Sequence, residues 1–184
     1  MPGYAIHLAI GEKYAKKNNI QDKKGFINGI IKPDLIEKEK SHYLDENGNP
    51  KLEEFLKDIP LDTDYNKGYF LHLVTDYLFY NKFLQEFSEE IYHDYNKLNK
   101  FLITKYNITI PPEIQSIVKF EDGKPKILDK DSICRFIDAI AQIDFSTLES
   151  LKTYLESCDL MNEKEETYKY FCFFFFIAIF LKEW

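Results

Sequence analysis

One apolar stretch of the sequence, GYFLHLVTDYLFYNKFL at residues 68–84, places two polar side chains where a helix would bury them. His72 and Asp76 are four residues apart and therefore lie on one face of that helix. Burying an ionised carboxylate is costly unless a cation or a hydrogen-bond donor meets it. The two residues could form a simple structural pair. They could also bind one metal ion, because imidazole nitrogen and carboxylate oxygen are ordinary zinc ligands.

The histidines are further candidate ligands, and they are concentrated in one part of the sequence. All four histidines fall within the first 93 residues, namely His7, His42, His72 and His93. Taken alone, His7 suits a hydrogen-bonded core histidine, Asp34 a turn or cap residue, and His42 a loop histidine. A metal site in a helical bundle, however, collects its ligands from facing elements. His7, Asp34 and His42 are therefore the candidates to complete a site around His72 and Asp76.

The elements that would position these residues are predicted to be helices. Apolar residues recur at helical spacing, and Pro33 ends a short apolar element that begins near residue 25. The segment FEDGKPKILDKDS indicates a loop or a hairpin. With almost no alternating strand pattern, the sequence predicts an all-α single domain over residues 1–184. The predicted helices cover residues 4–18, 51–58, 66–86, 88–105, 131–142, 145–158 and 163–182.

Composition narrows the classes of function. The chain of 184 residues is 45% hydrophobic and 16% aromatic, which is typical of a folded globule. Its net charge of −7 argues against a broad basic face that would bind extended nucleic acid. The three cysteines lack CxxC spacing and suit reduced thiols. The first residues lack the pattern of a signal peptide, so we expect a cytoplasmic protein.

The segment YFCFFFFIAIFL at residues 170–181 is apolar throughout. As a helix it would be about 18 Å long, well short of the roughly 30 Å hydrocarbon core of a bilayer. We therefore expect a closing helix buried in the domain, with weak membrane contact as the alternative.

Taken together, three segments resemble the zinc-dependent phospholipase C family, which has relatives among single-strand-specific nucleases. MPGYAIHLAIGEKY resembles the segment that carries the family's leading histidine. FINGIIKPDLIEKEKSHY is similar to its Gly-x-x-x-Pro-Asp segment followed by Ser-His, and GYFLHLVTDYLFY to its Gly-x-x-x-His-x-x-x-Asp helix. The resemblance covers roughly residues 1–85.

The resemblance implies an all-α fold with a zinc cluster in a cleft and hydrolysis of phosphate esters. It implies that five residues are metal ligands, with Asp34 as the carboxylate that bridges two ions and takes part in catalysis. The implied ligands are His7, Asp34, His42, His72 and Asp76. The implied substrate is a small phosphodiester or a phospholipid head group.

The chain also departs from the family pattern. It begins with MPG where secreted members have a mature N-terminal tryptophan, and no histidine follows His93, so the family's later His-x-x-x-Glu motif is missing. We therefore expect one or two ions, zinc in the first place and manganese or iron otherwise. Asp94 is a candidate for a further ligand, and His93 is expected at the surface.

Two alternatives remain at this point. An HD-type phosphohydrolase would use His42 or His72, the His93–Asp94 dipeptide and the distant Asp138. A non-enzymatic binding protein would retain a structural metal site. Sequence motifs for a phosphate-binding loop or a serine or cysteine nucleophile are absent.

Overall fold

The structure is a computed structural model that describes residues 2–145 of the chain. The residues up to Gln142 form one compact unit. The predicted helices 145–158 and 163–182, the aromatic segment 170–181 and two of the cysteines, Cys158 and Cys172, lie outside the described residues. A single domain over residues 1–184 therefore stays a prediction.

The described part of the chain is helical, which confirms the all-α prediction. Short 3₁₀ turns lie at Pro33–Leu35 and Pro112–Ile114, and a π-helical turn lies at Phe79–Phe83. Between residues 2 and 145 the one β-type pairing recorded is an isolated bridge between Leu44 and Pro50. The α-helices are α1 Tyr4–Lys17, α2 Lys23–Ile31, α3 Lys38–Ser41, α4 Leu52–Asp58, α5 Asp64–Leu78, α6 Glu90–Tyr106 and α7 Lys130–Ile140.

Helix ends follow local chemistry. The hydroxyl of Thr63 accepts a hydrogen bond from the backbone N–H of Asn66 at the start of α5. Pro33 lies just after α2 as the first residue of the 3₁₀ turn, where it offers no N–H for a further helical hydrogen bond. The predicted helix 66–86 ends earlier as an α-helix, at Leu78, because the chain continues as the π-helical turn.

Two glycines allow α2 and α5 to pack unusually close together. A Cβ atom placed on Gly29 would lie 2.1 Å from the carbonyl oxygen of Tyr65. A Cβ atom placed on Gly68 would lie 2.1 Å from the carbonyl oxygen of Phe26. Both clashes are with backbone atoms, so only glycine fits without separating the helices. This contact brings the end of α2 and the turn after it against the middle of α5.

Helix α1 completes the surroundings of that contact by packing against α2, α5, α6 and α7. Its apolar residues Ile6, Leu8 and Ile10 are at most 1% exposed. Burial of each such side chain contributes about 1.5–3 kcal/mol relative to exposure. Helix α1 is therefore held in the centre of the described unit, with its polar residue His7 buried as well.

Within residues 2–145, we find no helix that combines the length and the apolar character needed to cross a bilayer.

Candidate metal centre

Four separate elements bring their polar side chains to one buried place. Asp34 lies in the 3₁₀ turn after α2, and His42 directly follows α3. His7 comes from the first half of α1. His72 and Asp76 come from one face of α5, as their spacing predicts. Two groups of these residues could hold a metal ion: Asp34, His42 and His72 form one, and His7, His72 and Asp76 form the other.

The first group is tightly arranged around two imidazole nitrogens. Nε2 of His42 lies 3.2 Å from Nε2 of His72. Oδ1 of Asp34 lies 3.4 Å from Nε2 of His42 and 3.4 Å from Nε2 of His72. Oδ2 of Asp76 approaches the same two nitrogens, at 3.4 Å and 3.8 Å. One oxygen of each carboxylate therefore lies within 3.8 Å of both imidazole nitrogens.

Asp76 also faces the second group through its other oxygen. Oδ1 of Asp76 lies 3.2 Å from Nε2 of His7. The rings of His7 and His72 are stacked, with centroids 4.1 Å apart and planes 9° apart. Asp76 is thus the residue whose two oxygens are directed toward different histidines.

The orientation of His72 is fixed by a backbone carbonyl. Its Nδ1 lies 2.8 Å from the carbonyl oxygen of Ile30. A carbonyl can only accept, so Nδ1 carries the proton and donates it. Ile30 belongs to the last turn of α2, where carbonyls lack helical N–H partners. In the neutral ring, Nε2 therefore keeps its lone pair and presents it to the carboxylates.

His42 is oriented in a similar way by Ser41. The Ser41 hydroxyl lies 2.9 Å from the carbonyl oxygen of Pro33 and 2.7 Å from Nδ1 of His42. Because the hydroxyl has a single proton to donate, donation to Pro33 leaves its oxygen to accept from Nδ1–H. Nε2 of His42 is then unprotonated in the neutral ring. Such outer hydrogen bonds are what orient ligating histidines in metal sites.

The burial of the cluster makes its charge balance unusual. The side chains of His42 and His72 have no measurable exposure, and those of Asp34 and Asp76 are 4% and 3% exposed. Between residues 2 and 145, the ion-pair partners of Asp34 and Asp76 are histidines, and neither carboxylate meets a lysine or an arginine. With neutral histidines the cluster carries two negative charges that need a cation.

Several polar atoms of the cluster also meet no partner with hydrogen-bond geometry. They are Nδ1 and Nε2 of His7, Oδ1 of Asp34 and Oδ1 of Asp76, and all four are buried. Buried polar groups are normally satisfied by protein, water or an ion. Imidazole nitrogens and carboxylate oxygens are a donor set that a transition metal ion would satisfy.

The pKa values of the cluster respond to burial and to the neighbouring charges. Burial acts to raise the pKa of Asp76, but His72, His42 and His7 outweigh it and hold the pKa well below its usual value. Asp34 behaves in the same way: burial acts to raise its pKa, but His72 and His42 outweigh burial and lower the pKa. Burial and then the neighbouring His72 lower the pKa of His7. Burial also acts to lower the pKa of His42, yet the two carboxylates raise it. The carboxylates of Asp34 and Asp76 are therefore ionised at neutral pH, which is the form that binds a metal ion.

Ser41 is a residue whose role the sequence did not predict, although it precedes His42 in the quoted motif. We expect Ser41→Ala to weaken metal binding by about 10–100-fold, the usual cost of losing an outer hydrogen-bond partner. Competition with a chromogenic chelator measures the change. The control is Ser132→Ala, which removes a half-buried hydroxyl in the first turn of α7 that accepts a hydrogen bond from Arg135. Equal affinities in the two variants would contradict the role assigned to Ser41.

Asp94 belongs to neither group, which corrects its prediction as a metal ligand. Its carboxylate accepts hydrogen bonds from the backbone N–H groups of Lys126, Ile127 and Leu128, at 2.6–3.1 Å. A carboxylate with both oxygens used in this way fixes a loop. Asp94 therefore attaches the segment before α7 to α6. The sequence carried no local signal for this contact, since its partners are more than 30 residues away.

The residues required by the HD-type alternative are likewise not assembled. His93 is 60% exposed at its side chain and pairs with Glu121, which agrees with its predicted surface position. Asp138 pairs with Lys13 at the contact of α1 and α7. With Asp94 bound to backbone, none of these three residues reaches the histidine cluster through the contacts observed in residues 2–145.

Asp94 leads to a prediction about acid stability. Burial acts to raise its pKa, but the backbone hydrogen bonds from residues 126–128 outweigh it, so the pKa is lowered on folding. A lowered folded-state pKa means that ionised Asp94 stabilises the fold above about pH 4, and that this contribution is lost as pH falls further. We expect Asp94→Asn to lose about 2–3 kcal/mol at neutral pH and to flatten the acid side of the stability curve.

Urea unfolding at several pH values measures this effect. Asp122→Asn is the matched control, since Asp122 is exposed in the same loop. A parallel pH dependence of wild type and Asp94→Asn would contradict the structural role of Asp94.

Comparison with known proteins gives no family assignment: no family model, no curated protein and no solved structure matches the chain.

Proposed function

We propose that the chain binds zinc through Asp34, His42, His72 and Asp76 and hydrolyses small phosphate esters. The observation that supports this most directly is the spacing of the ligand atoms. Zinc bonds of about 2.0–2.2 Å in tetrahedral geometry separate ligand atoms by roughly 3.3–3.6 Å. The distances among Nε2 of His42, Nε2 of His72 and Oδ1 of Asp34 are 3.2, 3.4 and 3.4 Å.

Charge supports the same assignment. The two carboxylates contribute two negative charges, and both histidines present unprotonated Nε2 atoms when neutral. A divalent cation neutralises the group. Without one, the close approach of two Nε2 lone pairs at 3.2 Å requires a shared proton. Because metal and protons then compete for the same atoms, zinc affinity should fall as pH decreases.

A second ion would find fewer protein ligands. Nδ1 of His72 is already used by the Ile30 carbonyl, so His72 offers Nε2 alone, and this atom faces the first group. His7 and Oδ1 of Asp76 remain for a second position. Fewer than four protein ligands leaves room for water and substrate, as in catalytic zinc sites.

This arrangement changes the residue to which we assign the bridging role. The resemblance implied Asp34, but Asp34 faces His42 and His72 through the single atom Oδ1. Asp76 directs one oxygen to His7 and the other to His42. We therefore assign the bridge to Asp76 and keep Asp34 as a ligand of the first position.

The chemistry that we assign to the centre follows from these ligand assignments. Bound zinc lowers the pKa of a coordinated water and neutralises charge on a phosphoryl group. The protein residues hold the ligand atoms in place: Ile30 and Ser41 orient the two imidazoles, and the glycine contact holds α2, which carries Ile30, against α5, which carries His72. A small ester or a lipid head group suits the net charge of −7 better than a polyanion does.

Metal analysis and turnover test the proposal together. The purified chain, loaded with zinc and dialysed, should hold one or two zinc ions and hydrolyse bis-p-nitrophenyl phosphate. Chelation should abolish turnover, and added zinc should restore it. The variant His42→Ala should lose both zinc and turnover, whereas Asp138→Asn should retain them. A chain that binds neither zinc nor manganese would refute the proposal.

The depth of the site supports one second candidate, a structural metal site in a binding protein. The ligand side chains of the first group are at most 4% exposed, and closed sites are typical of structural zinc. Stable zinc binding without turnover on any phosphate ester would favour that function.

A further inference from the structure

The same short pattern precedes two histidines of the cluster. Tyr4 lies three residues before His7 in α1, and Tyr69 lies three residues before His72 in α5. Residues three apart lie on one face of a helix, about one turn from each other. Helices α1 and α5 therefore each present a phenol and an imidazole on the same side.

Both phenols donate hydrogen bonds to the backbone of one segment, residues 33–42, which we call the ligand segment. The Tyr4 hydroxyl lies 3.2 Å from the carbonyl oxygen of Asp34. The Tyr69 hydroxyl lies 2.7 Å from the carbonyl oxygen of Ser41. A carbonyl oxygen only accepts, so the phenol is the donor in both contacts. One end of the ligand segment is thus attached to α1 and the other end to α5.

The ligand segment depends on such attachments because its middle is exposed. It carries Asp34 near its start and His42 at its end, and Leu35 and Ile36 between them are each 38% exposed. Since hydrophobic stabilisation is proportional to the apolar area buried, this middle part contributes little to holding the segment in place. The hydrogen bonds at its two ends therefore decide where the two ligands lie.

Tyr69 acts on the peptide group that leads into His42. The Ser41 carbonyl belongs to this planar group, and the N–H of the same group, on His42, donates to the carbonyl oxygen of Lys38 at 3.0 Å. With both polar atoms of the peptide group bound, the position of the His42 Cα atom is fixed. The Ser41 hydroxyl then orients the imidazole ring itself.

Tyr69 is itself held firmly. Its ring centroid lies 5.2 Å from that of Phe55, which is fully buried, and 6.3 Å from that of Tyr65. Its backbone nitrogen would lie 2.9 Å from a Cβ atom placed on Gly29, so Tyr69 is part of the close contact between α2 and α5. A donor anchored in this way can fix the position of its acceptor.

We propose that Tyr69 and Tyr4 are positioning residues of the metal centre, which hold His42 and Asp34 in place for the ion. This inference rests on the zinc-binding part of the proposed function and not on hydrolysis. Ligands that are held in place before binding bind more tightly, because less conformational freedom is lost when the ion enters. The two phenols act through the backbone and not through contact with the ion.

The zinc affinity of the full chain, measured by competition with a chromogenic chelator, tests the proposal. We expect Tyr69→Phe and Tyr4→Phe each to weaken zinc binding by about 3–10-fold, the equivalent of one neutral hydrogen bond. Tyr65→Phe is the matched control, since it removes a half-buried phenol from α5. Within residues 2–145 that phenol donates to no carbonyl of the ligand segment, so the zinc affinity of Tyr65→Phe should equal that of the wild type.

Two features of the experiment separate positioning from a contribution to stability alone. The affinities are measured at a temperature at which urea unfolding shows each zinc-free variant to be folded, so that a loss of stability alone leaves them unchanged. In the cobalt-loaded chain, Tyr69→Phe should also change the visible absorption of Co²⁺, which depends on the geometry of its ligands. Tyr65→Phe should leave that spectrum as in the wild type.

The outcomes distinguish this inference from the proposed function. If Tyr69→Phe equals Tyr65→Phe in zinc affinity or in its cobalt spectrum, the role of Tyr69 is overturned while zinc binding stands. An unchanged zinc affinity in Tyr4→Phe likewise overturns the role of Tyr4. A wild type that binds no zinc overturns the inference together with the proposed function.

Discussion

Replacing Asp76 by asparagine should remove most of the bound zinc and the associated hydrolysis. The substitution keeps the shape of the side chain but converts an anionic ligand, directed at His7 and at His42 through its two oxygens, into a neutral one. The expected loss of zinc affinity exceeds the roughly 10–100-fold caused by losing an outer hydrogen-bond partner. Zinc per chain after dialysis, measured by atomic emission, gives the primary result.

The same variant distinguishes a metal ligand from the structural partner of a histidine. Since bound metal stabilises the folded state, wild type should melt at a higher temperature with zinc, and Asp76→Asn should gain much less. Asp138→Asn is the control, because it removes an aspartate at a partly exposed site that pairs with Lys13. An unchanged zinc count in Asp76→Asn would mean that α5 carries only a His–Asp pair, and the hydrolase proposal would lose its support.

Replacing Gly68 by alanine should destabilise the fold and disturb the metal centre at once. The added methyl group would lie 2.1 Å from the backbone oxygen of Phe26, which cannot rotate away. Helices α2 and α5 must then separate, and Ile30 must move relative to His72. We expect a loss of about 2–4 kcal/mol in the free energy of unfolding, in the range of overpacked core sites, and weaker zinc binding.

Gly11→Ala is the matched control for this prediction. Gly11 also lies in a helix and faces α2, but its added methyl would meet the Cδ1 atom of Ile30, the end of a flexible side chain. The loss of stability should therefore be smaller than for Gly68→Ala. Urea unfolding of both variants measures the difference. Equal losses would show that the close approach of α2 and α5 is not what limits the site.

Helices and candidate ligands were predictable from the sequence because both depend on short-range patterns. Apolar spacing defined α1, α4 and α6 within two residues at each end. The i, i+4 spacing of His72 and Asp76 fixed their common face. The free-energy cost of burying a carboxylate also indicated the site, since a carboxylate in an apolar helix requires a partner.

Features that depend on contacts between distant segments were not predictable. Asp94 resembled a ligand in sequence, but its backbone partners lie in a loop more than 30 residues later. Nothing in the sequence indicates that the carbonyl of Ile30 is the group that orients His72. The bridging geometry of Asp76 depends on where α1 places His7. Each of these requires the packed arrangement of helices, which periodicity alone does not specify.

The ligand atoms come from residues 7 to 76, so an ion held by them would act as a removable cross-link. Binding to Asp34 and His72 would close a loop of nearly 40 residues, and binding to His7 would extend the closed segment to the first helix. Closing such loops restricts the unfolded chain as a disulfide does, but reversibly. Metal supply would then determine how easily this half of the protein opens, and a chelator would act on folding as well as on chemistry.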